Sequence, residues 1–175
     1  KQRLSVVVPL TLVIILLLLF LNFRRITPVL IIMGTLPLAL VGGLWFLDIL
    51  GYNMSVAVGV GFIALAGVSV EIGVLMIVYL EQALTVQIAL AKEEGRELTR
   101  ENLRTSVIEG ALLRVRPIMM TVAVVIAGLL PIMLGSGTGS EVMRRIAAPM
   151  VGGMTSATIL TLLVIPAAFL IWKTL

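Results

Sequence analysis

The 175-residue sequence has no cysteine and no histidine, and it is poor in charge and in aromatic rings. Without cysteine there is no disulfide framework, no thiolate nucleophile and no thiolate metal ligand. Without histidine the commonest zinc and haem ligand is missing, so any metal must be held by other donors. Charged residues make up 13% of the chain, about half the share of a soluble domain. Aromatics are 5%, and the basic residues behind the net charge of +4 do not alternate with stacking rings. That argues against nucleic-acid binding. What fills the space is apolar: 60% hydrophobic residues and a mean hydropathy of +1.19. At about 20 residues per membrane-crossing helix, this composition accommodates roughly five spans and leaves no room for a soluble enzyme or a sizeable extramembrane domain. The expected fold is an all-α, polytopic membrane helix bundle.

Apolar runs of span length cover residues 4–23, 28–47, 54–80, 117–134 and 148–172. The first has no small-residue cleavage site after it, so it reads as a span and not as a signal peptide. The chain opens at Lys1-Gln2-Arg3 with no initiator methionine, as expected for the later part of a longer polypeptide. Pro28 and Pro117 suit the first turns of the second and fourth spans, where a missing N–H is harmless. Gly42-Gly43 and Gly152-Gly153 lie within spans, where glycine pairs let a neighbouring helix approach closely.

Five spans put the two chain ends on opposite sides of the membrane. One side carries Arg24, Arg25, Lys92, Arg96, Arg100, Arg104, Arg114, Arg116 and Lys173; the other carries Lys1, Arg3, Arg144 and Arg145. By the positive-inside rule the first side, with the C-terminus, is cytoplasmic. The one long polar stretch, residues 81–116, is expected there as a linker helix. Thr99 is its N-cap, Leu98 and Leu103 form a hydrophobic staple, and Leu103, Val107, Ala111 and Val115 recur every four residues as an apolar stripe. Residues 135–140, Gly-Ser-Gly-Thr-Gly-Ser, form the most flexible connection on the opposite side.

Glu71 sits near the middle of the third span, with Asp48 and Glu81 as its nearest charged neighbours in sequence. A charge at a helix centre costs a few kcal/mol even on mild insertion scales, so this carboxyl is expected to face protein or water and not lipid. Ala57, Gly61, Ala64 and Val68 lead to it at helical spacing, with Gly67 one turn before, so small residues invite a partner helix. Low dielectric penalises the charged form of a carboxyl, which suits a group that takes up and releases protons as access alternates between the two sides. The alternative is a structural carboxyl bonded to Ser69 or Thr121, although Ser69, two residues away, points elsewhere on the helix. Intramembrane proteolysis lacks its residues. There is no histidine, and Asp48 is the sole aspartate, so the protein is not expected to be an enzyme.

Several strings occur together in order: Pro37-Leu-Ala-Leu-Val-Gly-Gly43, Gly61-Phe-Ile-Ala-Leu-Ala-Gly67 running into Val70-Glu-Ile-Gly73, Leu113-Arg-Val-Arg-Pro117 followed by Met120-Thr121, and Gly139-Ser-Glu-Val-Met143 with Arg145-Ile-Ala-Ala-Pro-Met150. Their order and spacing resemble the C-terminal membrane half of the heavy-metal efflux branch of the resistance-nodulation-division (RND) superfamily, most of all its copper/silver pumps. The resemblance implies the last five of twelve membrane helices of a homotrimeric pump in the bacterial inner membrane. Such a pump works with a periplasmic adaptor and an outer-membrane channel and exchanges protons for Cu(I) or Ag(I), with no resident cofactor. Divalent-cation (zinc, cobalt or nickel) efflux, or a non-transporting membrane scaffold of the same fold, are the alternatives. It further implies that Glu71 belongs to a proton relay. The relay lysine of the copper/silver members falls at Ile118 here, which leaves a partner aspartate outside this chain or a helper such as Thr121. Met143 resembles one half of a methionine pair that hands on the metal, and thioether sulfur is a soft donor suited to Cu(I) and Ag(I). Met33, Met76, Met119 and Met120 are read as packing.

Overall fold

A computed structural model describes residues 2–93, 95 and 100–174. Five helices follow one another: α1 (Gln2–Phe23), α2 (Ile26–Ile49), α3 (Val56–Glu93), α4 (Arg100–Leu134) and α5 (Ser140–Thr174). Each contains a stretch long and apolar enough to cross a membrane, and there is no strand among the described residues. The fold is an all-α polytopic membrane bundle.

The breaks between helices have local causes. Between α1 and α2, Arg24 takes a left-handed conformation (φ 51) and its N–H still reaches the Phe20 carbonyl at 2.7 Å, so the chain reverses within two residues. At the end of α2, Gly51 (φ +67) donates to the Asp48 carbonyl and Tyr52 to that of Leu47, both at 3.0 Å. This is the Schellman closure that glycine makes easy. The Ser55 hydroxyl then accepts the Val58 N–H at the start of α3, an N-cap contact.

The polar stretch is divided differently from the expected single linker helix over 81–116. α3 spans 38 residues, about 57 Å at 1.5 Å per residue against a hydrocarbon layer of about 30 Å, so its last turns continue beyond the membrane. Residues 81–93 are mostly good helix formers and hold no breaker; Gly95, at φ +63, lies just beyond them. The proposed cap Thr99 and staple residue Leu98 lie outside the described residues. Leu103, Val107, Ala111 and Val115 fall in the first half of α4, where Val107 is buried and Leu103 and Ala111 pack against the main core. Pro117 is not in a first turn. It lies in the interior of α4, because that helix already begins at Arg100; membrane helices tolerate interior proline where neighbours and hydroxyls satisfy the freed groups.

α5 is the hub, packed on α2, α3 and α4, whereas among the described residues α1 packs on α2 alone. Gly42 and Gly152, one glycine from each pair, meet at the contact of α2 with α5. A Cβ on Gly152 would lie 2.9 Å from the Gly42 carbonyl oxygen and overlap the Phe46 ring. A Cβ on Gly43 would stand 3.0 Å from the Pro149 carbonyl. Gly153 accepts the Leu65 side chain in the same manner, and Gly61 receives the backbone at Ile146, so α3 runs alongside α5 in the same direction. Around this crossing Ile32, Leu65, Met76, Ile165 and Phe169 are wholly buried. Of the methionines read as packing, Met76 is buried and Met33 half-buried against the core, while Met119 and Met120 are exposed on α4.

Gly152→Val in the complete protein is expected to force α2 from α5 and cost about 1–3 kcal/mol through overpacking, read as a lower unfolding temperature in detergent. Gly34→Ala, where nothing lies within 4 Å of the new methyl, is expected to leave that temperature in place. Equal temperatures for the two variants would contradict the crossing.

Candidate functional site

The inward face of α3 is built from Val58, Gly61, Leu65, Ser69, Ile72, Gly73 and Met76. Glu71 is on the other side. It is exposed on the outer face of the five-helix bundle, beside Val60 (48% exposed), Ile63 (58%) and Gly67. Gly67 has open space where a Cβ would stand. The small-residue series expected to lead to Glu71 therefore divides, with Gly61 turned inward onto α5 and Gly67 outward. The cause is angular: the intervening turns of helix place Glu71 about 80° from Gly61.

Ser69 does not partner the carboxyl. It is buried in the bundle with its hydroxyl unbonded, as is Thr161 on α5. Among the described residues Glu71 has no hydrogen bond or ion pair. The Thr121 hydroxyl donates to the Pro117 carbonyl of its own helix at 3.0 Å. Ile118, where the resemblance expects a lysine, is 3% exposed within the main hydrophobic core. Thr121 and Ile118 are thus one turn or less apart in sequence but occupy different surroundings, one exposed and one enclosed.

A groove of about 530 Å3 runs along the polar half of α3, lined by Val78, Glu81, Gln82, Thr85 and Val86. Val78, Gln82 and Thr85 stand at i+7, i+11 and i+14 from Glu71, which is one helix face. Glu71 therefore heads a face that becomes polar toward the α3 C-terminus. The spacing was readable from the sequence, but it stood inside a stretch assigned to a separate linker. At the same end Arg114 stacks over the Tyr79 ring at 4.0 Å, and Lys173 over Trp172 at 4.4 Å.

Met143 lies at the opposite end, in the first turns of α5. It is 56% exposed and lines a hairpin pocket of about 390 Å3 with Ile132, Ser136, Thr138 and Ser140. The glycine-rich connection is held down by Arg144, whose Nε donates to the Gly135 carbonyl at 3.0 Å while Nη2 reaches the same oxygen. Arg145 lies near Glu141 at 3.7 Å and over the Tyr52 ring at 5.9 Å, joining this hairpin to the α2–α3 connection. These arginine contacts carried no sequence signal. Gly61 is level with Ile146, so Glu71 and Met143 stand roughly 20 Å apart along the axis. They form two separate stations.

Residues 1–173 of this bundle match the AcrB/AcrD/AcrF family. The chain belongs to that family. It is 55% identical over 173 residues to a putative cation efflux system protein, SilA, of Salmonella typhimurium, and 52% identical over 173 residues to the cation efflux system protein CusA of Escherichia coli (strain K12). Each match covers 98% of this chain and 16% of the relative. The cobalt-zinc-cadmium resistance protein CzcA of Cupriavidus metallidurans is 40% identical over 167 residues, 95% of this chain and 14% of that one. A crystal structure of a heavy metal efflux pump superposes with a TM-score of 0.81 at 36% identity, over 99% of this chain and 16% of that one. The chain thus spans about a sixth of the length of the relatives it matches.

Proposed function

We propose that this chain is the C-terminal membrane segment of a proton-driven heavy-metal efflux pump, with Cu(I) or Ag(I) as the preferred cargo. The observation that carries the reading is Glu71, an ionisable side chain at mid-membrane on the outward face of α3. Such a group is too costly to leave against lipid, so the face is covered in the complete pump by the rest of the polypeptide, and the open position at Gly67 lets a helix come close. There the carboxyl is a proton carrier. Neutral, it crosses the low-dielectric zone as access changes; charged, it is held by a partner and by water. Each proton moving down 100 mV releases about 2.3 kcal/mol, enough to weigh against the cost of exposing or burying that charge. Gln82 and Thr85, further along the same face, make its cytoplasmic end polar.

Cargo is handled elsewhere. Met143 offers a soft, uncharged donor at the periplasmic mouth, where Ser136, Thr138 and Ser140 supply hard oxygens only. The preference for monovalent soft ions rests on that sulfur; the likeness to a cobalt-zinc-cadmium resistance protein supports divalent cargo as the second reading. The axial separation of Met143 from Glu71 makes coupling indirect, through movement of helices and not through competition at one site. In this reading the pump is a homotrimer of the inner membrane with a cytoplasmic C-terminus, joined to a periplasmic adaptor and an outer-membrane channel.

Glu71→Gln keeps volume and hydrogen-bonding capacity but removes the titratable proton. In the full-length pump in proteoliposomes carrying an internal pH dye, it is expected to abolish metal-dependent proton flux with little change in thermal stability. Near-normal flux would contradict the carrier role, and a large stability loss would point to a structural carboxyl. Met143→Ile, of similar volume but without sulfur, is expected to lower silver and copper tolerance several-fold at unchanged expression. Unaltered tolerance with unaltered vesicle transport would remove Met143 from the metal path.

A further inference from the structure

The turn between α1 and α2 holds a feature that transport does not use. Val13, Leu17 and Phe20 of α1 face Ile26, Val29 and Leu30 of α2 across an apolar groove of about 380 Å3. Its mouth is the turn itself, where Arg24 and Arg25 are both exposed and, among the described residues, without an ion-pair partner. The left-handed Arg24 closes that turn in two residues, so Arg24 and Arg25 lie in the chain between Phe20 and Ile26, the groove-lining residues nearest the turn. Among the described residues α1 packs on no other helix, so no helix of the five-helix bundle covers the groove. A third cation stands close by. Lys173, at the end of α5, feels the charges of Arg25, which repels it, and of Glu81, which attracts it, and it lies against the ring of Trp172. Trp and basic residues together mark the level of a lipid interface.

We propose that this groove binds one anionic phospholipid of the leaflet on the basic side, its acyl chain against Leu17 and Val29 and its phosphate on Arg24 and Arg25. A second protein helix is the poorer occupant, because covering the two arginines would strip water from two cations without supplying an anion. A phosphate supplies that anion as a fork-shaped acceptor for guanidinium, at the depth where the apolar spans end. Basic pockets between helices at this level recognise anionic headgroups. The flexible chain fills a narrowing wedge and brings no backbone polar groups that need partners.

The inference goes beyond the transport reading and is tested by binding alone. The full-length pump, delipidated in detergent, is titrated with phosphatidylglycerol and with phosphatidylcholine of the same chains, and bound lipid is counted by native mass spectrometry. Phosphatidylglycerol is expected to bind in preference. The double variant Arg24→Gln/Arg25→Gln should weaken it roughly twenty-five-fold, about fivefold for each charge lost near the surface. Arg24→Lys/Arg25→Lys should keep most of the preference, and Leu17→Trp, which fills the wedge with both arginines in place, should reduce binding. A photoreactive residue at Leu17 in native membranes is expected to crosslink to lipid. An unchanged preference for phosphatidylglycerol in the double glutamine variant, or crosslinks from Leu17 to polypeptide in place of lipid, would overturn the proposal.

Discussion

The close crossing of α2 on α5 is the contact from which the rest of the arrangement follows. Gly42 meets Gly152, and Gly43 the Pro149 carbonyl, at separations that admit no side chain, so the two backbones come together where van der Waals packing is the main attraction available in lipid. Gly153 then opens the socket for Leu65, and Gly61 takes the backbone at Ile146. Those two contacts fix the rotation of α3. With the rotation fixed, Ser69 must point inward and Glu71 outward, because residues two apart on a helix face nearly opposite ways. The position of the one mid-membrane charge is thus set by glycines several turns away from it.

That geometry separates three tasks along the chain. The face of α3 from Glu71 to Thr85 is polar at its ends and apolar between. The hairpin at Gly135–Met143 is stiffened by Arg144 despite its three glycines, so the methionine is presented from an anchored turn. At the basic end, Arg114 on Tyr79 and Lys173 on Trp172 hold their cations over rings. Among the described residues Arg24 and Arg25 have no such ring or ion-pair partner.

Much of the bundle was legible because hydropathy sustained over the length of a membrane span is a strong signal, and all five apolar runs became helices. Helix lengths were less legible. A window set to membrane thickness stops α3 at residue 80, whereas the helix is ended by local chemistry and runs to Glu93; the same error placed Pro117 at a helix start. Glu71 stood out by its cost alone. Which way it faces was not readable, since the small residues before it were treated as one stripe although their angular drift carries Gly61 to the core and Gly67 to the surface. The recurrence of Val-Gly-Gly in α2 and α5 was visible in the sequence, and the structure gives it a meaning as two halves of one contact. The Arg144 anchor joins two ends of a hairpin through a side chain, and no periodicity reports such a contact.

The central claim is that the carboxyl of Glu71 changes protonation state while the pump works. Infrared difference spectroscopy of the full-length protein in lipid, recorded as metal is supplied under an imposed proton gradient, measures this directly through the C=O stretch of a protonated carboxyl. The account predicts a carboxyl band that rises and falls with turnover in the native pump and is missing from the Glu71→Gln variant. An identical band in both proteins, or none in the native pump while metal is being moved, would contradict it.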